Sequence, residues 1–375
     1  MYDAIVVGTG GVGSAAAYHL ARRGCRVLGL DRFPGGHDRG SSHGQTRIIR
    51  LAYFEHPDYV PLLRRAYDLW RELEQGIGHT LYEEVGLLEV GPPDGVVIPG
   101  VLASARQHDL HLDLLDAHQV ASRFPGFVVP DGHVAAFERR AGFLYVESCV
   151  LAHLAQASQH GAEFVTNESV ENWSATSTDV TVRTDRNEYR GRRLIISAGA
   201  WARDLLTQLG IHFPVRRKHL HWYRTDSDIY RATLGAPCFF YETGGAHFYG
   251  FPQIDERGVK VAEHSGGTVV GNPLTDDRSV EAADRERVEA FLSAHLPQVN
   301  RVPLHHAVCY YTMSPDEHFV VDRHPGHDHI CFAAGLSGHG FKFTSVLGEI
   351  LADLSLDGGT SHPIDFFASR RFQRV

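Results

Sequence analysis

Val6-Val-Gly-Thr-Gly-Gly-Val-Gly13 is the stretch whose reading decides the fold. It follows the apolar run Tyr2-Asp-Ala-Ile-Val-Val7 and leads into Ser14-Ala-Ala-Ala-Tyr-His-Leu-Ala-Arg-Arg23, so a buried parallel strand is expected before it and a helix after it. Gly8, Gly10 and Gly13 fit the G-x-G-x-x-G pattern, with Gly11 inside the same turn. The first glycine permits the tight turn, the second lets a pyrophosphate approach the backbone, and the third lets helix and strand pack closely. The helix start then offers free N–H groups and a positive dipole end to phosphates. A second apolar run, Arg26-Val-Leu-Gly-Leu30, ends in Asp31, where an acidic side chain is expected to meet a ribose hydroxyl. A lone glycine turn would be weak; strand, turn, helix, second strand and acid together predict an adenine dinucleotide site.

Bulk properties bound the rest. At 375 residues the chain has room for two domains, and 43% hydrophobic with 22% charged residues is a globular composition. A net charge of −9 argues against nucleic acid as a partner. With an apolar strand beginning at Tyr2 and no apolar run of about 20 residues, neither a signal peptide nor a membrane span is expected, and the expected location is the cytoplasm. Cys25, Cys149, Cys238, Cys309 and Cys331 are scattered and form no C-x-x-C pair, which predicts neither a disulfide framework nor a zinc site. His219/His221 and His324/His327/His329 lack a completing carboxylate or thiolate pattern, so no metal is expected.

After Asp31 the glycine-rich segment Arg32 to Arg47 is too long for an idle loop and ends near two arginines, Arg47 and Arg50, which suggests a ligand-gripping loop. A helix is expected from Pro57 to Gln75, with Val60, Leu63, Tyr67 and Trp70 on one face. Glu84-Val-Gly-Leu-Leu-Glu-Val90 reads as a strand before the Pro/Gly-rich Gly91-Pro-Pro-Asp-Gly95, and Asp116 as the N-cap of a short helix ending before Pro125. The remainder to about residue 145 reads as mixed. A helix to His160, strands around Glu163 and Val170, and an apolar run into Ser197-Ala-Gly-Ala200 return to αβ patterning. Strands dominate from Val215 to about Val270, a helix is expected from Ser279 to Leu296, and another strand spans His305 to Thr312. Near the end, a strand into Ala334 leads to a second glycine turn, Gly335-Leu-Ser-Gly-His-Gly340, and a helix from Phe341 to Leu354. A helix start there suits negative charge on a flavin ring, which favours FAD over NAD.

The residues now on the page resemble the monomeric sarcosine oxidase and N-methyltryptophan oxidase group of the FAD-dependent amine oxidases. The resemblance rests on Gly8-Thr-Gly-Gly-Val-Gly13, Gly44-Gln-Thr-Arg-Ile-Ile-Arg50, Tyr249-Gly-Phe-Pro252, Val259-Lys260 with His264, Ala307-Val-Cys-Tyr-Tyr-Thr312 and Ser337-Gly-His-Gly-Phe-Lys342, over essentially the whole chain. It implies an α/β fold: a discontinuous Rossmann-like FAD domain (residues 1–85, 146–214 and 318–375) with a substrate domain on a mostly antiparallel sheet (86–145 and 215–317). It implies a flavin held by a thioether to Cys309, although a cysteine in an apolar strand is ordinarily an inert core residue. Thioether formation needs a thiolate, which a nearby cation favours.

The resemblance also implies roles. Arg50 and Lys342 hold the substrate carboxylate, Glu55 orients the clamp, and Arg47 lies against the flavin. Lys260 assists oxygen activation, and His264, Tyr249, Tyr311 and His339 line the substrate cavity. Thr46 and Val170 join Gly8, Gly10, Gly11, Gly13, Asp31, Gly335, Gly338, Gly340 and Lys342 as expected cofactor contacts. Phe240 stands where sarcosine oxidase has methionine and Phe54 where it has glycine, so the cavity is expected to differ. The implied activity is oxidation of a secondary, N-methyl amino acid, with O₂ reduced to hydrogen peroxide, by a monomer. A dehydrogenase feeding a carrier and a non-catalytic flavin-binding redox protein remain as alternatives.

Overall fold

The structure, a computed structural model, describes residues 1–372. The N-terminal apolar run forms strand Ala4–Val7, wholly buried within a six-stranded sheet. Val27–Leu30 and Leu194–Ile196 flank it in parallel, and Glu163–Val165 and His327–Ala334 extend the sheet in the same sense. Val320–His324 closes one edge antiparallel. Strands apolar on both faces require cover on both. Alternate residues supply it: Ala4, Val6, Ile195 and Cys331 face helices Gly11–Ala21, Val146–Gln159 and Thr344–Asp357, while Ile5, Val7, Leu194 and Phe332 face a small antiparallel sheet carrying Val180 and Val182. Gly348 permits the close approach of the last helix to the first, because a Cβ there would stand 2.5 Å from Ala15 Cβ.

The second large sheet has nine strands and is antiparallel except where Cys238–Thr243 pairs in parallel with Leu87–Gly91. Its period-2 alternation sorts side chains between two destinations. Phe239, Tyr241, Phe248, Val259 and Val261 pack toward helix Ala282–His295 through Val288, Phe291 and Leu292. Phe240, Tyr249, Ala262, Cys309 and Tyr311 belong to a separate cluster on the opposite face. A three-stranded sheet of Thr46–Ile49, Gly142–Tyr145 and Tyr82–Glu83 places Arg47 and Ile48 beside that face.

Several expected boundaries move. Pro57 opens a short 3₁₀ turn, Pro57–Tyr59, that runs into helix Val60–Ile77. The helix expected from Ser279 begins at Ala282. The stretch read as mixed contains a full helix, Val97–His108, whose first turn holds Pro99 and Gly100. Asp116 caps helix Ala117–Arg123 through a capping box with Gln119. Among the described residues no helix is long and apolar enough to cross a membrane.

Candidate active site

The glycine turn behaves as its spacing requires. Gly8 has φ +83°, and a Cβ there would meet Ser197 O at 2.6 Å; one on Gly13 would stand 1.8 Å from Gly8 O. Gly13 therefore packs helix on strand and does not line a cavity. Gly8, Gly10 and Gly11 line a long cleft of about 1250 Å³, open mouth included. The other walls are Asp31, Val170, Ser197 and Trp201, then Cys309, and the second turn through Gly335, Gly338 and Gly340. Asp31 receives hydrogen bonds from Thr9 N (2.6 Å), Thr9 Oγ1 (3.1 Å) and Phe33 N (3.0 Å), which fixes its carboxylate at the strand end. Sequence reasoning missed Ser42, whose hydroxyl accepts from Gly11 N, and Glu168 and Trp201 on the cleft wall.

A smaller cavity of about 460 Å³ adjoins the cleft and shares Arg47, Tyr311, Gly338 and Phe341 with it. Arg50, Glu55, His339 and Lys342 form one side; Phe240, Tyr249 and His264 form the other. Arg50 is 3% exposed and lies between two carboxylates, Glu55 (2.6 Å) and Glu89 (3.4 Å), with Phe54 4.3 Å from its guanidinium carbon. Burial opposes ionisation of Glu55, but Arg50, with His339 and Lys342, overcomes it and holds the carboxyl down at about 2. Glu89 is fully buried with neither oxygen hydrogen-bonded, and burial pushes it up to about 8 against the pull of Arg50. Burial, then the Arg50 charge, presses Lys342 down to about 7.

On the aromatic side Phe240, Tyr249 and Tyr311 are buried and His264 is partly buried. His264 Nδ1 meets Tyr311 Oη at 3.3 Å, and the His264 ring lies 5.7 Å from Phe240 and 6.1 Å from Tyr249, edge-on to both. Burial, then Lys218, keeps His264 well below its ordinary range, hence neutral. Lys218 itself was not anticipated; its ammonium lies 5.5 Å from the Tyr311 ring centre.

Lys260 and Thr46 sit behind the cavities rather than on their walls. Lys260 lines neither cavity: its Nζ donates to Gly44 O (2.5 Å), Thr46 O (2.9 Å) and Thr46 Oγ1 (3.2 Å), directly behind the strand that carries Arg47. Burial, then Arg47, pushes its pKa well down. The turn it supports is held from the other side by Glu147, which accepts from Gly44 N (2.7 Å) and Gln45 N (3.2 Å). Gln45 has φ +74°, a strained value for a residue with a Cβ. The histidine groups serve internal contacts: His221 meets Asp284 at 2.8 Å and His219 meets His306 at 2.9 Å. No group of three or more metal-ligating side chains occurs among the described residues.

The lining of the cleft fits an adenine dinucleotide, and the small cavity adjoins it. Besides the glycine cradle, Trp201 Nε1 and Thr344 Oγ1 are buried on its wall without a hydrogen-bond partner, as donors awaiting a polar ligand would be. A glycine-cradled cleft at the carboxyl ends of parallel strands, joined to a cationic and aromatic cavity, defines a dinucleotide-dependent redox protein. Residues 3–354 match the family model described as FAD dependent oxidoreductase, and the chain belongs to that family. It is 44% identical to a monomeric sarcosine oxidase of Streptomyces avermitilis, across 99% of this chain and 97% of that one. An N-methyl-L-tryptophan oxidase of Citrobacter koseri is 38% identical over 99% of both. Among solved structures, NikD, an unusual amino acid oxidase essential for nikkomycin biosynthesis, superposes with a TM-score of 0.87 at 26% identity, covering 98% of this chain and 97% of that one.

Proposed function

We propose that this chain is a monomeric FAD-dependent oxidase of small secondary amino acids, N-methyl amino acids such as sarcosine among them. The observation that carries the reading is the pairing of Arg50 and Lys342 on one wall of a small cavity that opens onto the dinucleotide cleft. When bound, FAD supplies the two-electron chemistry that oxidises the C–N bond to a hydrolysable imine and reduces O₂ to hydrogen peroxide.

The chain's own groups do the rest. A planar guanidinium grips a carboxylate bidentately and a protonated amine holds it as a point charge, so Arg50, and Lys342 once it carries a proton, fix the substrate by its acid end. Glu55 occupies the Arg50 fork at 2.6 Å and is the group a substrate carboxylate displaces. Phe240, Tyr249 and Tyr311 then surround the amine end with apolar surface, and neutral His264 adds no competing charge. Phe54 against Arg50 and Phe240 reduces the room beyond the carboxylate, which favours small side chains. Lys260, whose amine donates to Gly44 and Thr46 behind the strand of Arg47, is the group that assists electron transfer to O₂. Cys309 Sγ, on the cleft wall, is the point of covalent attachment.

Oxygen consumption with matched amines tests the reading. Sarcosine or another small secondary amino acid is expected to support peroxide formation, and N-methylethylamine, which lacks the carboxylate, is expected to be at least a hundredfold poorer, about the worth of two charge-assisted hydrogen bonds. Equal turnover of both would contradict the role of the basic pair.

A further inference from the structure

The hydrogen bonds behind Lys342 run in one fixed direction. His339 Nε2 lies 3.0 Å from the carbonyl oxygen of Glu317, which can only accept, so that nitrogen carries the proton. Burial holds His339 down at about 4 and the ring is neutral, which leaves Nδ1 as an acceptor. Tyr53 Oη, 2.6 Å away, must donate to it and keeps only lone pairs for other partners. Lys342 Nζ meets that oxygen at 3.5 Å and the carbonyl of His339 at 2.9 Å, so two of its N–H bonds are committed to acceptors deep in the wall. Its remaining tetrahedral position is the one left for the small cavity, which Lys342 lines while being only 6% exposed. The nearest carboxylates, Glu55 and Glu89, are turned to Arg50, and Lys342 makes no ion pair among the described residues.

On the amino-acid reading given above, we propose that Lys342 is the proton acceptor that converts a bound amino acid from its zwitterion to the neutral amine required for oxidation. The substrate N–H bond breaks and leaves its electron pair on the amine nitrogen; the Nζ lone pair forms the new N–H bond, and no charge enters or leaves the cavity. The groups facing Lys342 drive the proton this way. Before binding, burial with Arg50 and Arg47 outweighs Glu55 and Glu89 and brings Lys342 to about 7, so it is largely neutral in mildly alkaline solution with its lone pair toward the cavity. The arriving carboxylate raises its proton affinity, and the fixed Arg50 charge disfavours a second cation on the substrate. The amine is thus deprotonated by the group that holds the acid end.

Two isosteres separate the outcomes: pivalate, a carboxylate without an amine, and 2-aminoisobutyrate, a zwitterion with no hydrogen on the carbon bearing its nitrogen. Calorimetry of the FAD-loaded protein at about pH 8.5, in buffers of differing ionisation enthalpy, reads protons exchanged per ligand bound. Pivalate is expected to draw about one proton from buffer and 2-aminoisobutyrate about none, because it brings its own. Lys342→Gln is expected to abolish the uptake with pivalate, and Tyr53→Phe, which removes one acceptor from Nζ, to alter it. Binding of pivalate without uptake, uptake that survives Lys342→Gln, or release of a proton on binding 2-aminoisobutyrate would each overturn the proton transfer alone. Failure of both ligands to bind would overturn the amino-acid reading of the cavity and the transfer with it.

Discussion

Arg47 Nη2 donates to Cys309 Sγ at 3.0 Å, joining a strand next to the small cavity to the long strand Val299–Thr312. Cys309 is 1% exposed and lines the cleft. Wild-type protein is therefore expected to keep yellow fluorescence on the polypeptide through acid precipitation and denaturing electrophoresis. Cys309→Ala should bind FAD but release it under both treatments. Flavin that washes off the wild type would rule out attachment at this sulfur.

Arg50 lies between Glu55 and Glu89, and replacement by lysine keeps the charge while removing the fork. Arg50→Lys should raise KM for the amino acid about ten- to a hundredfold, the loss of about 1.5–3 kcal/mol of charge-assisted hydrogen bonding. A KM unchanged from wild type would remove Arg50 from the carboxylate site.

Glu89 gives a stability signature with a definite sign. Its folded pKa of about 8 is raised, so between about pH 4.5 and 8 the folded state keeps a proton that the unfolded chain has lost. That contribution to stability is fully present below the unfolded value and falls away as pH rises toward 8. Glu89→Gln does not titrate, so its melting temperature relative to wild type should climb steadily from pH 5 to 8. A difference that stays flat over this window would mean that Glu89 is ionised throughout.

Lys260 is 1% exposed and touches Gly44 and Thr46 rather than the cavity wall. In the proposed role a protonated Lys260 would stabilise charge that develops during oxygen reduction, where such a group is worth about 10²–10³ in rate. Lys260→Met should slow reoxidation by O₂ by about that factor and leave anaerobic reduction by substrate nearly unchanged. Equal slowing of both half-reactions would reassign it to holding the Gly44–Thr46 turn.

The sequence made some of this legible for identifiable reasons. Gly8, Gly13, Gly335 and Gly338 announce the cleft because a Cβ at each would collide with a neighbour or need a positive φ, a local property visible in spacing. Strand alternation likewise separates Phe240 and Tyr249 from Phe239 and Phe248. Helix Val97–His108 has a weak local signature because Pro99 and Gly100 interrupt its first turn; Gly100 is needed because a Cβ would stand 2.4 Å from Phe54 O. Glu89 was passed over although a carboxylate in the apolar run Leu87-Leu-Glu-Val90 is itself a signal, since its partner Arg50 comes from a distant strand end. The set-back position of Lys260 depends on the Gly44–Gln45 turn, which Glu147 anchors across the fold. Such long-range contacts have no signature in local spacing.

Anaerobic addition of sarcosine, N-methyltryptophan, pipecolate and proline, one at a time, to the yellow protein tests the central claim most directly. The account predicts that at least one small secondary amino acid bleaches the flavin absorbance, and that admitting O₂ restores it with about one hydrogen peroxide per flavin. Flavin that stays oxidised with every one of these amino acids would contradict it.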